Sequence, residues 1–259
     1  MEATFRRTFV FGGLLALVAS AVAVGGVSAK PSGDGPGNAP NAKACQKDGW
    51  ENLVREDGST FANQDECVSY AAQGGVLQPK PLTPLELCKQ QLAAAGLSEP
   101  ANANYILGTD GDDDFTSQMT EGNDVVCGFG GSDQIGSAAE LEGDDIFLGG
   151  AGTDVVTGLG GGTFNGGDGN DVVEGMGGGT FNGGDGNDFV EFLLAGTVNG
   201  GAGDDVVFAM NDGTFYGGDG NDSVGSLFGG TFNGEGGCDT VATQSAGTFN
   251  PGDQSTCTA

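Results

Sequence analysis

A 17-residue period constrains this chain more than any other feature. The segments starting at Gly149, Gly166, Gly183, Gly200, Gly217 and Gly234 align without gaps: GGAGTDVVTGLGGGTFN, GGDGNDVVEGMGGGTFN, GGDGNDFVEFLLAGTVN, GGAGDDVVFAMNDGTFY, GGDGNDSVGSLFGGTFN and GEGGCDTVATQSAGTFN. A unit this short cannot bury its own apolar face, so successive units must stack. In the unit from Gly166 to Asn182, Gly166, Gly167 and Gly169 permit tight turns and left-handed backbone. Val172-Val173-Glu174 reads as a short strand with Val173 inward. Residues 175–179 read as a second glycine-rich turn, and Thr180-Phe181-Asn182 as a second strand with Phe181 inward. One repeat is then one coil of two strands and two turns. The expected class is all-β, a parallel β-solenoid over residues 108–250.

Stacking puts equivalent residues about 4.8 Å apart. Val156, Val173, Val190, Val207, Val224 and Val241 form one expected core column, and Phe164, Phe181, Val198, Phe215, Phe232 and Phe249 the other. On this reading the core is two side chains wide, thin for an independent fold. Stacking also aligns Asp154, Asp171, Asp188, Asp205, Asp222 and Asp239. Two charges at that spacing repel by about 0.9 kcal/mol even at the dielectric of water. Asn or Ser would serve such turns without repulsion, so six aspartates imply a bridging cation. Calcium suits them because it takes six to eight oxygens, carboxylate or carbonyl, in flexible geometry, whereas magnesium demands stricter geometry and dehydrates reluctantly.

The stretch Gly166-Gly167-Asp168-Gly169-Asn170-Asp171-Val172-Val173-Glu174 resembles the RTX, or haemolysin-type, calcium-binding nonapeptide. GGDGND occurs three times, and GGAGTD and GGAGDD once each. The resemblance covers about residues 108–250. It implies a parallel β-roll in which Ca2+ lies between turns, the sixth-position aspartate giving carboxylate oxygens and the glycine turn carbonyls. In the last coil Glu235 replaces a glycine and Cys238 precedes Asp239, which departs from the pattern. The second turn of each coil reads GLGGG, GMGGG or FLLAG and lacks the aspartate, so calcium is expected along one side only, with Asp212 isolated. Before residue 149 the spacing drifts to 20 and 21 residues. There Asp113, Asp124, Asp133 and Asp145 are the candidate ligands, in two series, Asp113–Asp133–Asp154 and Asp124–Asp145.

The rest of the chain is organised around export and small cores. Arg6 and Arg7, the apolar stretch Phe9–Val24 and the small residues Val27-Ser28-Ala29 read as a signal peptide over 1–29, with Arg6-Arg7-Thr8-Phe9-Val10 similar to a twin-arginine motif. Once the signal is removed, no membrane span is expected. Residues 30–44 read as a flexible linker, 45–82 as a small two-cysteine module around Trp50, Phe61 and Tyr70, and 251–259 as a tail. Thr83, Pro84 and Glu86 announce a helix N-terminus, and Gly96 its end, within a lead-in over 83–107. Leu85, Cys88, Leu92 and Ala95 share one face, and the helix is expected to cap the open end of the solenoid. Six cysteines in an exported chain favour disulfides, and a sequential pairing is expected: Cys45–Cys67, Cys88–Cys127 and Cys238–Cys257.

Composition narrows the function. The chain has no histidine, which removes Ser-His-Asp and Cys-His catalysis. The formal charge of −28 repels nucleic acid and anionic membranes and attracts cations. No enzyme is expected, because ladder positions account for nearly all the paired carboxylates. The expected role is a secreted, calcium-dependent structural or adhesive repeat protein, with a surface, polysaccharide or cell-envelope component as partner. The alternative is a surface- or ice-binding solenoid using the outward column Thr163, Thr180, Thr197, Thr214, Thr231 and Thr248, flanked by Asn165, Asn182, Asn199, Asn233 and Asn250.

Overall fold

Valine, phenylalanine and threonine favour strands, and the glycine clusters between them allow left-handed turns. In a computed structural model describing residues 40–136, 141–252 and 257, the repeats form a parallel β-solenoid. Its strands divide into a nine-stranded and a seven-stranded sheet, and each coil of the repeats contributes one strand to both. Within the repeats the register advances by 17 residues: Phe164 pairs with Phe181, Val173 with Val190, and Phe215 with Phe232. The signal peptide expected over 1–29 lies outside the described residues.

The strands run further than expected. One continues from Thr180 through Gly183-Gly184 to Asp185, and another from Val172 through Gly175 to Met176. This second extension corrects the reading of 175–179 as a turn. Met176 points inward and is fully buried, as are Leu159, Leu193, Met210 and Leu227 at equivalent positions. The core therefore has three columns rather than two. The sequence reading missed the third because glycines surround it. The phenylalanines stack nearly parallel, with ring centroids 5.0 Å apart for Phe164–Phe181 and 4.7 Å for Phe215–Phe232.

The helix spans Pro84–Ala94 and carries the full capping box between Thr83 and Glu86. Gly96 follows it with φ 70°. Cys88 and Leu92 pack on Val125, Cys127, Ile146 and Leu148. Val126 and Phe147 belong to the inner core, so the helix covers the outward face of the first coils. This corrects its expected place over the open end. Leu85 is exposed and lies outside the packed face.

All three expected cysteine pairs are bonded, with Cα–Cα distances of 5.8, 5.7 and 5.5 Å. The described residues 40–82 form a separate compact unit. Its core gathers Cys45, Cys67, Leu53, Phe61 and Ala71. Pro40–Ala44 is helical with Ala42 buried, so those residues belong to this unit rather than to the expected linker. Among the described residues, no helix is long and apolar enough to cross a membrane.

Candidate metal site along the aspartate column

Each repeat but the last enters its first turn through glycines with positive φ, such as Gly167 at 111° and Gly169 at 142°. The turn then delivers the sixth-position aspartate into the coil rather than to solvent. Asp133, Asp154, Asp171, Asp188, Asp205, Asp222 and Asp239 are all at most 4% exposed. Their amides donate to the Oδ1 of the next aspartate at 2.7–2.9 Å, in an unbroken run from Asp133 to Asp239. Asp113 begins the same column by donating to Asp133 Oδ1 at 2.8 Å.

The other oxygen is different. In all seven buried aspartates of this column, Oδ2 is buried and has no hydrogen-bond partner. It rests against the glycine five residues earlier, so that a Cβ on Gly149, Gly166, Gly183, Gly200, Gly217 or Gly234 would overlap it. The place a Gly166 Cβ would take is also 2.8 Å from the carbonyl oxygen of Gly183. Oδ2 and that carbonyl oxygen thus border the same small space, and Oδ2 has no donor. The first glycine of each repeat is needed for space rather than for its torsion angles.

Burial of an unpaired carboxylate disfavours its charged form. Desolvation pushes Asp171 up to about 8, Asp205 and Asp222 to about 7, and Asp133, Asp154 and Asp188 to about 6. For Asp171, the neighbouring Asp154 and Asp188 raise it further, and the bond from the Asp154 amide partly offsets both effects. Burial also raises Asp145 and Asp239.

Before residue 149 the aspartates fall into the two expected series, Asp113–Asp133–Asp154 and Asp124–Asp145, but their carboxylates differ in hydrogen bonding. Asp133 has the unpaired Oδ2 of the main column. Asp113 Oδ2 accepts from the Thr109 amide at 2.7 Å and hydroxyl at 2.9 Å. Asp124 accepts from the Thr120 amide and hydroxyl and from Asn104 Nδ2, and donates its amide to Asp145 Oδ1. Asp145 Oδ2 accepts from the Glu142 amide at 3.1 Å. These three carboxylates already have protein donors. On the opposite turns Asp212 is exposed and accepts from the Gly213 amide, and no buried aspartate lies there among the described residues of the repeats.

Sequence reading missed a second ladder at the fifth position. The Asn187 amide donates back to Asn170 Oδ1, Asp204 to Asn187 and Asn221 to Asp204, each at 2.7 Å. The signal was the run of Asn and Asp at that position, which reads alone as ordinary turn chemistry.

The donor set suits a hard cation. It offers anionic oxygens without donors, beside backbone carbonyls, in a glycine-rich turn. Among the described residues no three Asp, Glu, Cys or His side chains converge on one point, so carbonyls must supply much of any coordination. Compared with family models, curated proteins and solved structures, the chain matches none.

Proposed function

We propose that this is an exported calcium-binding β-roll whose folding is coupled to metal binding, with a structural or adhesive rather than catalytic role. The observation that carries the reading is the column of seven buried Oδ2 atoms without a partner. Asparagine there would accept the same inter-coil amide bond and turn a donor toward the carbonyl. Aspartate at every coil instead builds a line of negative charge. Calcium, when bound, supplies the neutralising charge and accepts carboxylate and carbonyl oxygens. The aspartates Asp133 to Asp239 present Oδ2, and the first-position glycines leave room for it. Asp113, Asp124 and Asp145 hold the first coils in register through their own hydrogen bonds. Three disulfides support an oxidising destination, where external calcium is abundant.

Circular dichroism and calorimetric calcium titration at neutral pH test this. Chelation should remove much of the strand signal, and millimolar calcium should restore it with a large rise in Tm. Identical spectra and Tm in chelator and in calcium would sink the proposal.

A further inference from the structure

The outer face of the nine-stranded sheet carries a column of asparagines at the last repeat position: Asn165, Asn182, Asn199, Asn233 and Asn250. Asn199 Nδ2 donates to Asn182 Oδ1, and Asn250 Nδ2 to Asn233 Oδ1, both at 2.7 Å. One coil departs. Tyr216, 39% exposed, stands between Asn199 and Asn233 and leaves Asn199 Oδ1 and Asn233 Nδ2 without a ladder partner. A second departure lies two residues beyond that register. The second repeat position is glycine with φ of 106–117° in five coils, but Glu235 with φ 69° in the last. A side chain held in that left-handed region is strained.

Both departures line the same shallow cleft, about 300 Å³ in volume, together with Asn199 and the glycines at positions 200, 201, 217 and 218. The other coils show that asparagine and glycine satisfy the fold at these positions. The tyrosine and the strained glutamate therefore answer to something other than folding. We infer that the Tyr216–Glu235 cleft is a binding site for a neutral sugar ring. A half-exposed phenol offers an apolar, polarisable face for the C–H side of a pyranose, with an -OH at its rim. Glu235 accepts from hydroxyls, and Asn199, which lines the cleft, offers its Oδ1 as a second acceptor. The glycine lining lets a flat ring approach the backbone. A charge of −28 and a carboxylate in the cleft exclude uronic-acid and sulfated polymers. A single aromatic ring does not make the cage that favours a quaternary ammonium.

This site needs a folded roll and does not depend on which cation folds it. The test is titration calorimetry of the purified chain, folded in calcium, with cello-, laminari-, manno- and galacto-oligosaccharides, and with choline and lysine as controls. Binding to at least one neutral oligosaccharide is expected. Tyr216→Asn and Glu235→Gly should each weaken it about tenfold with Tm unchanged or raised, because each restores the residue of the other coils. Tyr216→Phe should retain most of the affinity. The inference is overturned if no oligosaccharide binds, if both repeat-restoring variants bind as the parent does, or if only choline or lysine binds. Loss of fold in chelator bears on the calcium proposal alone.

Discussion

At the scale of the residue, the sixth-position aspartate does two jobs with two oxygens. Oδ1 receives an amide from the preceding coil, as Asp171 does from Asp154 at 2.8 Å. Oδ2 is left buried and bare. Asp171→Asn separates these jobs, because the amide keeps the first and gives the second oxygen's place a donor. In chelator the variant should melt higher than the parent, since an unsatisfied buried acceptor is replaced at a gain of about 1–3 kcal/mol. In calcium it should melt lower, because one anionic ligand is gone. Paired thermal melts read both effects. An equal calcium increment in the two proteins would show that Asp171 does not face the metal.

At the scale of the element, the sequence displayed the coil but hid its width. The 17-residue register, the valine and phenylalanine columns and the aspartate column were legible because each recurs at a fixed offset in plain view. The third core column was not. Met176 sits in GMGGG and Leu193 in FLLAG, where glycines or consecutive apolar residues erase the two-residue alternation that marks a strand. The two-faced aspartate was also hidden, because a hydrogen-bond partner one coil away has no local signature. The helix was legible from its capping box, yet its docking face was not, since only the outward Val125, Ile146 and Leu148 reveal where apolar surface awaits it. The width of the core is open to a direct check. Met176→Ala should destabilise the calcium-loaded roll by about 2–5 kcal/mol, as truncation of a fully buried side chain does. A change below about 0.5 kcal/mol in chemical denaturation would return residue 176 to a surface turn.

At the scale of the molecule, the column makes stability depend on pH in an unusual direction. Carboxylates near 3.8 in the unfolded chain are raised in the folded one, to about 6 for Asp154 and Asp188, about 7 for Asp205 and Asp222, and about 8 for Asp171. The folded state then holds more protons than the unfolded state, so stability falls as pH rises. Below about pH 4 both states are protonated and the slope vanishes. Without metal, the roll should be most stable near pH 4 and lose stability progressively up to about pH 8. Calcium at about pH 7.5 should recover what acid gives at about pH 4. Melting curves across that range, with chelator and with calcium, check the sign. A metal-free Tm that rises with pH would contradict the burial of the column. The disulfides Cys88–Cys127 and Cys238–Cys257 tether the helix to the first coils and the tail to the last.

The two ladders run in opposite senses. Fifth-position amides reach back to the coil before, and sixth-position amides reach forward to the coil after. From the coil at Gly166 to the coil at Gly234, each junction carries the same pair of contacts. Length becomes a free variable of the design. Excising Gly183 to Asn199 would rejoin Asn182 to Gly200, a glycine in the same repeat position as the one removed, and shorten the roll by one spacing of about 4.8 Å. Such a chain gains or sheds coils as whole words.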